Sequence, residues 1–217
     1  NTAGVVKMGL LSGDIVTLNT TGVFEDKNAG TSKTVRLTST YGGTDLANYS
    51  ITDQASTTAN ITPAPLTLSG ITVSNKVYDG TTGAIVNTAG VVKTGLVVGD
   101  AVTVSATGSF TDKNAGTAKN VVLNSIYGGA DVANYTVTDQ MSATASITPA
   151  VLTISGITAV NKVYDGTTTA SLNTAGMIRT GLFAGDIVTV SATGTFADKN
   201  AGHAKTVMLS NTFGGPD

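Results

Sequence analysis

Three side-chain types in this chain are spaced so that they could do chemistry. Aspartates come first, because Glu25 is the only glutamate against thirteen Asp. Asp100, Asp112, Asp131 and Asp139, set among carbonyl-rich Gly and Asn turns, supply the hard oxygen ligands that calcium prefers. They lack an Asp-x-Asp-x-Asp run, so calcium stands as a candidate beside the simpler account that these residues shape turns. Asp79 and Asp165 each stand between Tyr and Gly, as Tyr78-Asp79-Gly80 and Tyr164-Asp165-Gly166. Glycoside hydrolysis needs two carboxylates held in opposed environments. An Asp before Gly more simply accepts backbone amides and sets a turn. The expectation is therefore no enzyme and no cofactor, with calcium as the one exception kept open.

Lysine and tyrosine offer two further chemistries. Lys76, Lys113 and Lys119 recur in a chain without cysteine, which makes a Lys-to-Asn amide cross-link conceivable; solvated lysine is the simpler reading. Tyr78, Tyr127 and Tyr135 could stack on sugars. In a chain so poor in other large side chains, buried rings with hydrogen-bonded hydroxyls account for them more economically. His203 replaces Thr31 and Thr117 and occurs once, so no metal site is expected there. Phe213 likewise replaces Tyr41 and Tyr127.

Bulk composition removes other classes of partner. A formal charge of −2 and a pI near 5.2 leave no basic stripe to displace counterions from a polyphosphate, so nucleic acid is not expected. No apolar run approaches the roughly 20 residues that cross a bilayer, so membrane insertion is not expected either. The absence of cysteine excludes disulfides, thiolate metal sites and a thiol nucleophile. Nothing at Asn1 resembles a signal peptide, and the window is expected to lie inside a longer protein.

The elements that position these residues are set by an internal repeat. Asn-Thr-Ala-Gly begins at Asn1, Asn87 and Asn173, a spacing of 86 both times (87 − 1 and 173 − 87). On that period residues 1–64 match 87–150 at 43 of 64 positions, and 65–131 match 151–217 at 44 of 67. Copies this alike must share a fold, and none has a private active site. The reading is a partial repeat at 1–64, a complete repeat at 65–150 and a partial repeat at 151–217. The boundaries fall at Ile61-Thr62-Pro63-Ala64-Pro65-Leu66 and Ile147-Thr148-Pro149-Ala150-Val151-Leu152, because proline has no amide hydrogen to give to a ladder. Such short Pro-containing linkers are semi-rigid.

Thr and Val dominate the chain, and their branched β-carbons suit a pleated surface. Val102 to Phe110 alternates apolar and polar residues, the period-two pattern of a strand with one wet face. A turn at Asp112-Lys113-Asn114-Ala115-Gly116 leads into a second strand through Val121, Leu123 and Tyr127, and Phe110 and Tyr127 are expected to face the core. Asn134–Thr138 and Ala143–Ile147 read as a third and a fourth strand, with Thr136 and Thr138 on a wet face. Leu152, Ile154 and Ile157 open the next copy. Val77-Tyr78-Asp79-Gly80 ends a short strand in a turn, and 87–99 reads as irregular with strand character. The expected fold class is all-β: small antiparallel β-sandwich or β-grasp-like domains of 86 residues, strung as an extended rod. Domains this small are expected to lean on their neighbours.

Asn75-Lys76-Val77-Tyr78-Asp79-Gly80-Thr81-Thr82, repeated at 161–168, resembles the opening of the YDG repeat of bacterial cell-surface proteins. Asp112-Lys113-Asn114-Ala115-Gly116, Ala133-Asn134-Tyr135-Thr136-Val137 and Ile147-Thr148-Pro149-Ala150 resemble its later landmarks. The resemblance implies an extracellular protein of the bacterial surface, of the filamentous-haemagglutinin-like secreted adhesin type, with no catalytic residues to transfer. The expected function is a stalk that spaces an adhesive region from the cell. Its partners would be neighbouring repeats and other copies of itself through exposed strand edges. The alternative is a weak multivalent site for a host or matrix glycan or protein in every copy.

Overall fold

The computed structural model describes residues 5–217. The first Asn-Thr-Ala-Gly, at 1–4, lies outside the described residues. The fold is all-β: among the described residues there are strands and two 3-10 turns, Leu46–Asn48 and Val132–Asn134, and no α-helix. The first copy forms β1 (Thr17–Phe24), β2 (Gly30–Gly42) and β3 (Ser56–Ile61). The middle copy begins with β4 (Ala64–Ser69), β5 (Thr72–Val73), β6 (Lys76–Val77), β7 (Gly83–Ala84), β8 (Val86–Asn87) and β9 (Val92–Thr94). It continues with β10 (Thr103–Phe110), β11 (Gly116–Gly128), β12 (Tyr135–Thr138) and β13 (Ser142–Thr148). The third copy forms β14 (Thr153–Ser155), β15 (Thr158–Ala159), β16 (Thr169–Ala170), β17 (Leu172–Asn173), β18 (Ile178–Thr180), β19 (Thr189–Phe196) and β20 (Val207–Gly214).

Two compact units draw on these elements, and both include residues of the middle copy. One comprises Asn1–Gly70, Val91–Ser105 and Ser125–Gln140. It holds the antiparallel sheet β1-β2-β3 and a second sheet ordered β12-β4-β9. Leu66, Leu68, Val102 and Tyr135 form its buried cluster, with Leu96, Val104, Tyr127 and Val137 packed against them. The other unit comprises Ile71–Gly90, Ala106–Asn124 and Met141–Asp217. Its buried residues are Ile71, Phe110, Val121, Leu123, Ala145, Ile147 and Ala170. Phe110 is thus a core residue as its place in the alternating strand implies, whereas Tyr127 is only half-buried.

Strand pairing departs from the expected antiparallel arrangement at two places. β12 runs parallel to β4, with Tyr135 beside Ala64 and Val137 beside Leu66. β13 runs parallel to β6, with Ile147 beside Lys76. Parallel neighbours need a crossover connection, which hairpin logic does not supply. Here each pair joins a strand from the opening of the copy to one from its close. Two sequence features prepare the site described below. Ser32, Ala118 and Ala204, at one position of the three copies, have φ of 51°, 48° and 49°, and at Ser32 and Ala118 the long strand carries a bulge. Gly129 has φ +104°, and a Cβ there would lie 2.2 Å from the Ala101 carbonyl oxygen. Only glycine permits that close approach.

Candidate functional site

Within each copy the charged residues first satisfy their own turns. Asp112 Oδ1 accepts the Asn114 amide at 2.8 Å and the Lys119 ammonium at 2.5 Å. The bulge at Ala118 precedes Lys119 and interrupts the register of β11 just before it. Asp26 and Asp198 take the equivalent bonds from Asn28 and Lys33 and from Asn200 and Lys205. Because the turn is closed this way, its central lysine, Lys27 or Lys113, is left to project outward.

That lysine meets two aspartates of the following copy. Lys27 Nζ donates to Asp100 Oδ1 at 2.5 Å and lies 3.2 Å from Asp131 Oδ1. Eighty-six positions on, Lys113 Nζ donates to Asp186 Oδ1 at 2.5 Å and lies 3.0 Å from Asp217 Oδ1. Both aspartates are oriented by their second oxygens. Asp100 Oδ2 accepts the Tyr135 hydroxyl at 2.7 Å, and Asp131 Oδ2 accepts the Ala101 amide at 2.8 Å across the approach that Gly129 allows. Asp217 Oδ2 takes the Ile187 amide at 3.0 Å in the same way.

The electrostatics follow from this geometry. The Asp100 and Asp186 side chains are 8% and 4% exposed, whereas Lys27 is 65% exposed and Lys113 34%. The Lys27 ammonium and then the Tyr135 hydroxyl hold the Asp100 carboxyl below the usual carboxylate range. Asp186, then Tyr78 and Asp217, raise Lys113 well above the ordinary lysine value. Asp217 is lowered by the Ile187 amide and then by Lys113. Lys113 therefore stands as a charged ammonium between two carboxylates.

Further contacts join the copies. At the first, the Ala29 amide donates to Asn134 Oδ1 at 2.8 Å, and Asn134 Nδ2 donates to Asn28 Oδ1 at 3.2 Å. At the second, the Tyr78 hydroxyl donates to Asp186 Oδ1 at 2.8 Å. The Tyr78 ring meets Phe183 edge-on at 5.6 Å between centroids, and Lys113 Nζ stands 5.7 Å from the Tyr78 centroid.

The residues singled out in the sequence are thus brought together only in part. Asp100 and Asp131 share one lysine. Asp112 stays in its turn, and Asp139 accepts Ser125 Oγ at 3.1 Å and faces the Tyr127 hydroxyl. The four do not converge, and the described residues contain no group of three or more carboxylate, His or Cys side chains placed to hold a metal. Asp79 and Asp165 fix turns: Asp79 Oδ1 accepts the Thr81 amide and hydroxyl, both at 2.9 Å, and Lys76 Nζ at 2.8 Å. Lys76, then Thr81, hold the Asp79 carboxyl at about 2, and Lys162 and Thr167 hold Asp165 at about 2. Lys76 also lies over the Phe110 ring at 5.5 Å, as Lys162 does over Phe196 at 5.6 Å. Gly80 and Gly166 complete the turns with φ of 75° and 78°. Lys119 serves Asp112, so none of the three lysines has an asparagine as its main partner.

Tyr135 is buried against the Leu66 cluster, and Tyr127 is half-buried. Tyr78 is half-buried by the following copy, whereas Tyr164, for which this sequence has no residues at the equivalent partner positions, is exposed. Sequence reasoning missed the lysine-to-aspartate pairing because it spans 73 positions. The available signal was that Lys27, Lys113 and Lys199 recur together with Asp14, Asp100 and Asp186 and with Asp45, Asp131 and Asp217.

Neither a curated protein nor a solved structure matches the chain. The YDG domain family matches it three times, over residues 1–59, 62–144 and 148–217. The signature Tyr-Asp-Gly is where Asp79 sets the turn and Tyr78 reaches the next copy, and by these matches the chain belongs to the YDG domain family.

Proposed function

We propose that this chain is a stretch of structural spacer from a large secreted bacterial adhesin or extracellular filament, holding an adhesive region away from the cell. In this reading each 86-residue copy is a small β-domain, and the copies form an extended rod. The observation that carries it is the repeated latch: Lys27 on Asp100 and Asp131, then Lys113 on Asp186 and Asp217. Chemistry spent on joining one copy to the next, and spent identically at both junctions, is what a stiff array needs. The short Pro63 and Pro149 segments support the same reading, since they leave little free chain between copies.

Small-angle scattering tests the proposal. The 217-residue chain and a longer version carrying one more 86-residue period should give maximum dimensions that rise linearly with copy number. A dimension that stays near that of a sphere of the same mass removes the spacer reading.

A further inference from the structure

The three residues of the Tyr-Asp-Gly signature divide their contacts between two copies. Asp79 is spent inside its own copy, on the Thr81 amide and on Lys76. The Tyr78 backbone is fixed there too, because its amide donates to the Thr148 carbonyl at 2.8 Å, at the end of β13 and just before Pro149. Its side chain, by contrast, finds partners in the following copy. The hydroxyl donates to Asp186 Oδ1 at 2.8 Å, and the ring meets Phe183 edge-on. Gly80 faces the same phenylalanine, since a Cβ there would stand 3.5 Å from Phe183 Cβ.

Tyr78 and Lys113 come from different turns of one copy and converge on a single carboxylate oxygen, Asp186 Oδ1. The tyrosine ring also stands 5.7 Å from the ammonium, and the Lys113 side chain is 34% exposed. Lys27, at whose junction this sequence supplies no residue equivalent to Tyr78, is 65% exposed. Excluding water from an ion pair weakens its screening. On Asp100 the copy's own tyrosine, Tyr135, takes the other oxygen, Oδ2. A bond of the Tyr78 kind and a bond of the Tyr135 kind therefore do not compete for an oxygen.

We propose that the signature tyrosine is the residue with which one repeat recognises its successor, a strut across the Pro149 link. The successor it fits presents a carboxylate at the place of Asp186 and an apolar side chain at that of Phe183. Asp14 with Leu11, and Asp100 with Val97, stand at those places in the other copies. A bond from a hydroxyl to a carboxylate is directional, so it fixes a geometry that lysine, a point charge on a flexible stem, leaves loose. This rests on the spacer reading and adds to it the contact that selects each neighbour.

The test uses the 217-residue chain, with amide hydrogen exchange followed by NMR. Tyr78→Phe keeps the ring and removes only the hydroxyl. It should speed exchange about tenfold at the amides of Asp186 and Ile187, which bond Phe183 O and Asp217 Oδ2, through loss of one hydrogen bond to a charged group. In an Asp186→Ala chain the same substitution should change nothing further at Ile187. Tyr164→Phe is the internal control, because this sequence holds no copy after the third, and it should exchange as the wild type does. That comparison needs no change at Asp186, so it decides the matter even where Asp186→Ala unfolds the third copy. Unchanged exchange at 186–187 in Tyr78→Phe, or an undiminished effect without Asp186, overturns the proposal. So does a Tyr164→Phe effect as large as that of Tyr78→Phe, which would make the tyrosine a residue of its own copy. A compact chain in scattering, with the expected exchange results, would remove the spacer reading and leave the strut; a rod without them would do the reverse.

Discussion

The long strands β11 and β20 are built from nearly the same residues but have different strand neighbours within this sequence. β11 runs for 13 residues from Gly116, while β20, its counterpart, begins only at Val207 and runs for 8. Val121 is fully buried and Val207 half-buried at the same position. The local sequences, Gly116-Thr117-Ala118-Lys119-Asn120 and Gly202-His203-Ala204-Lys205-Thr206, differ at two of five positions. What differs more is the neighbour. β11 pairs with β13 from Gly116 to Val122, and no described strand stands in that place beside 202–206. Strand length here belongs to the ladder and not to the segment, as expected where β-propensity reflects cross-strand packing.

That contrast can be broken most directly in the core. Leu66→Ala should lower unfolding stability by about 2–5 kcal/mol, the range for a fully buried leucine. Leu152→Ala, at the same position of the third copy, should cost less than half as much in a denaturant titration. Equal losses would mean that the two leucines are equally well packed. Next comes Gly129→Ala, which forces a Cβ against the Ala101 carbonyl in the left-handed region. It should destabilise by about 2 kcal/mol or more, read as a fall in Tm.

A smaller effect is expected at the latch. Lys27→Met and Lys113→Met should each lower Tm, and the variants should lose part of the wild type's sensitivity to sodium chloride, because the lysines are exposed enough for salt to screen them. Intact mass should equal that of the unmodified 21.7 kDa chain; a loss of one water would reveal a Lys-to-Asp amide in place of the ion pair, and a loss of one ammonia a Lys-to-Asn amide. In the opposite direction, Ala118→Gly should stabilise by about 1 kcal/mol by relieving φ +48°. Ala204→Gly tests whether the same relief is available where the long strand is shorter.

The pH response should be the gentlest. Asp79 and Asp165 have carboxyls held at about 2, below the ordinary value. A depressed carboxylate contributes stability that is fully present above its unfolded value near 4 and is lost as pH falls toward 2. Asp79→Asn should flatten that part of the stability curve, and an unchanged acid limb would show that the turn does not depend on the charge.

Much of this was legible from side-chain order alone. Alternation at Val102–Phe110 gave a strand with Phe110 inward, and Asp-Gly at Asp79-Gly80 gave a turn. Alternation is a local rule, since successive side chains point to opposite faces whatever the partner. The parallel pairing of β12 with β4 was not legible, because period two does not say which way a neighbour runs. Nor was the role of Tyr78, whose partner Asp186 is 108 positions away. An aromatic beside an Asp-Gly turn reads the same whether it faces a core, a sugar or the next copy.

By itself the sequence determined the period of 86, the all-β character and the closed turns, because each depends on residues within a few positions or on exact repetition. Only the tertiary structure decided that the turn lysine of one copy sits between two aspartates of the next, and how far each long strand extends. Those outcomes rest on contacts across 73 or more positions, or on the presence of a partner strand, and neither is encoded in any single stretch of chain.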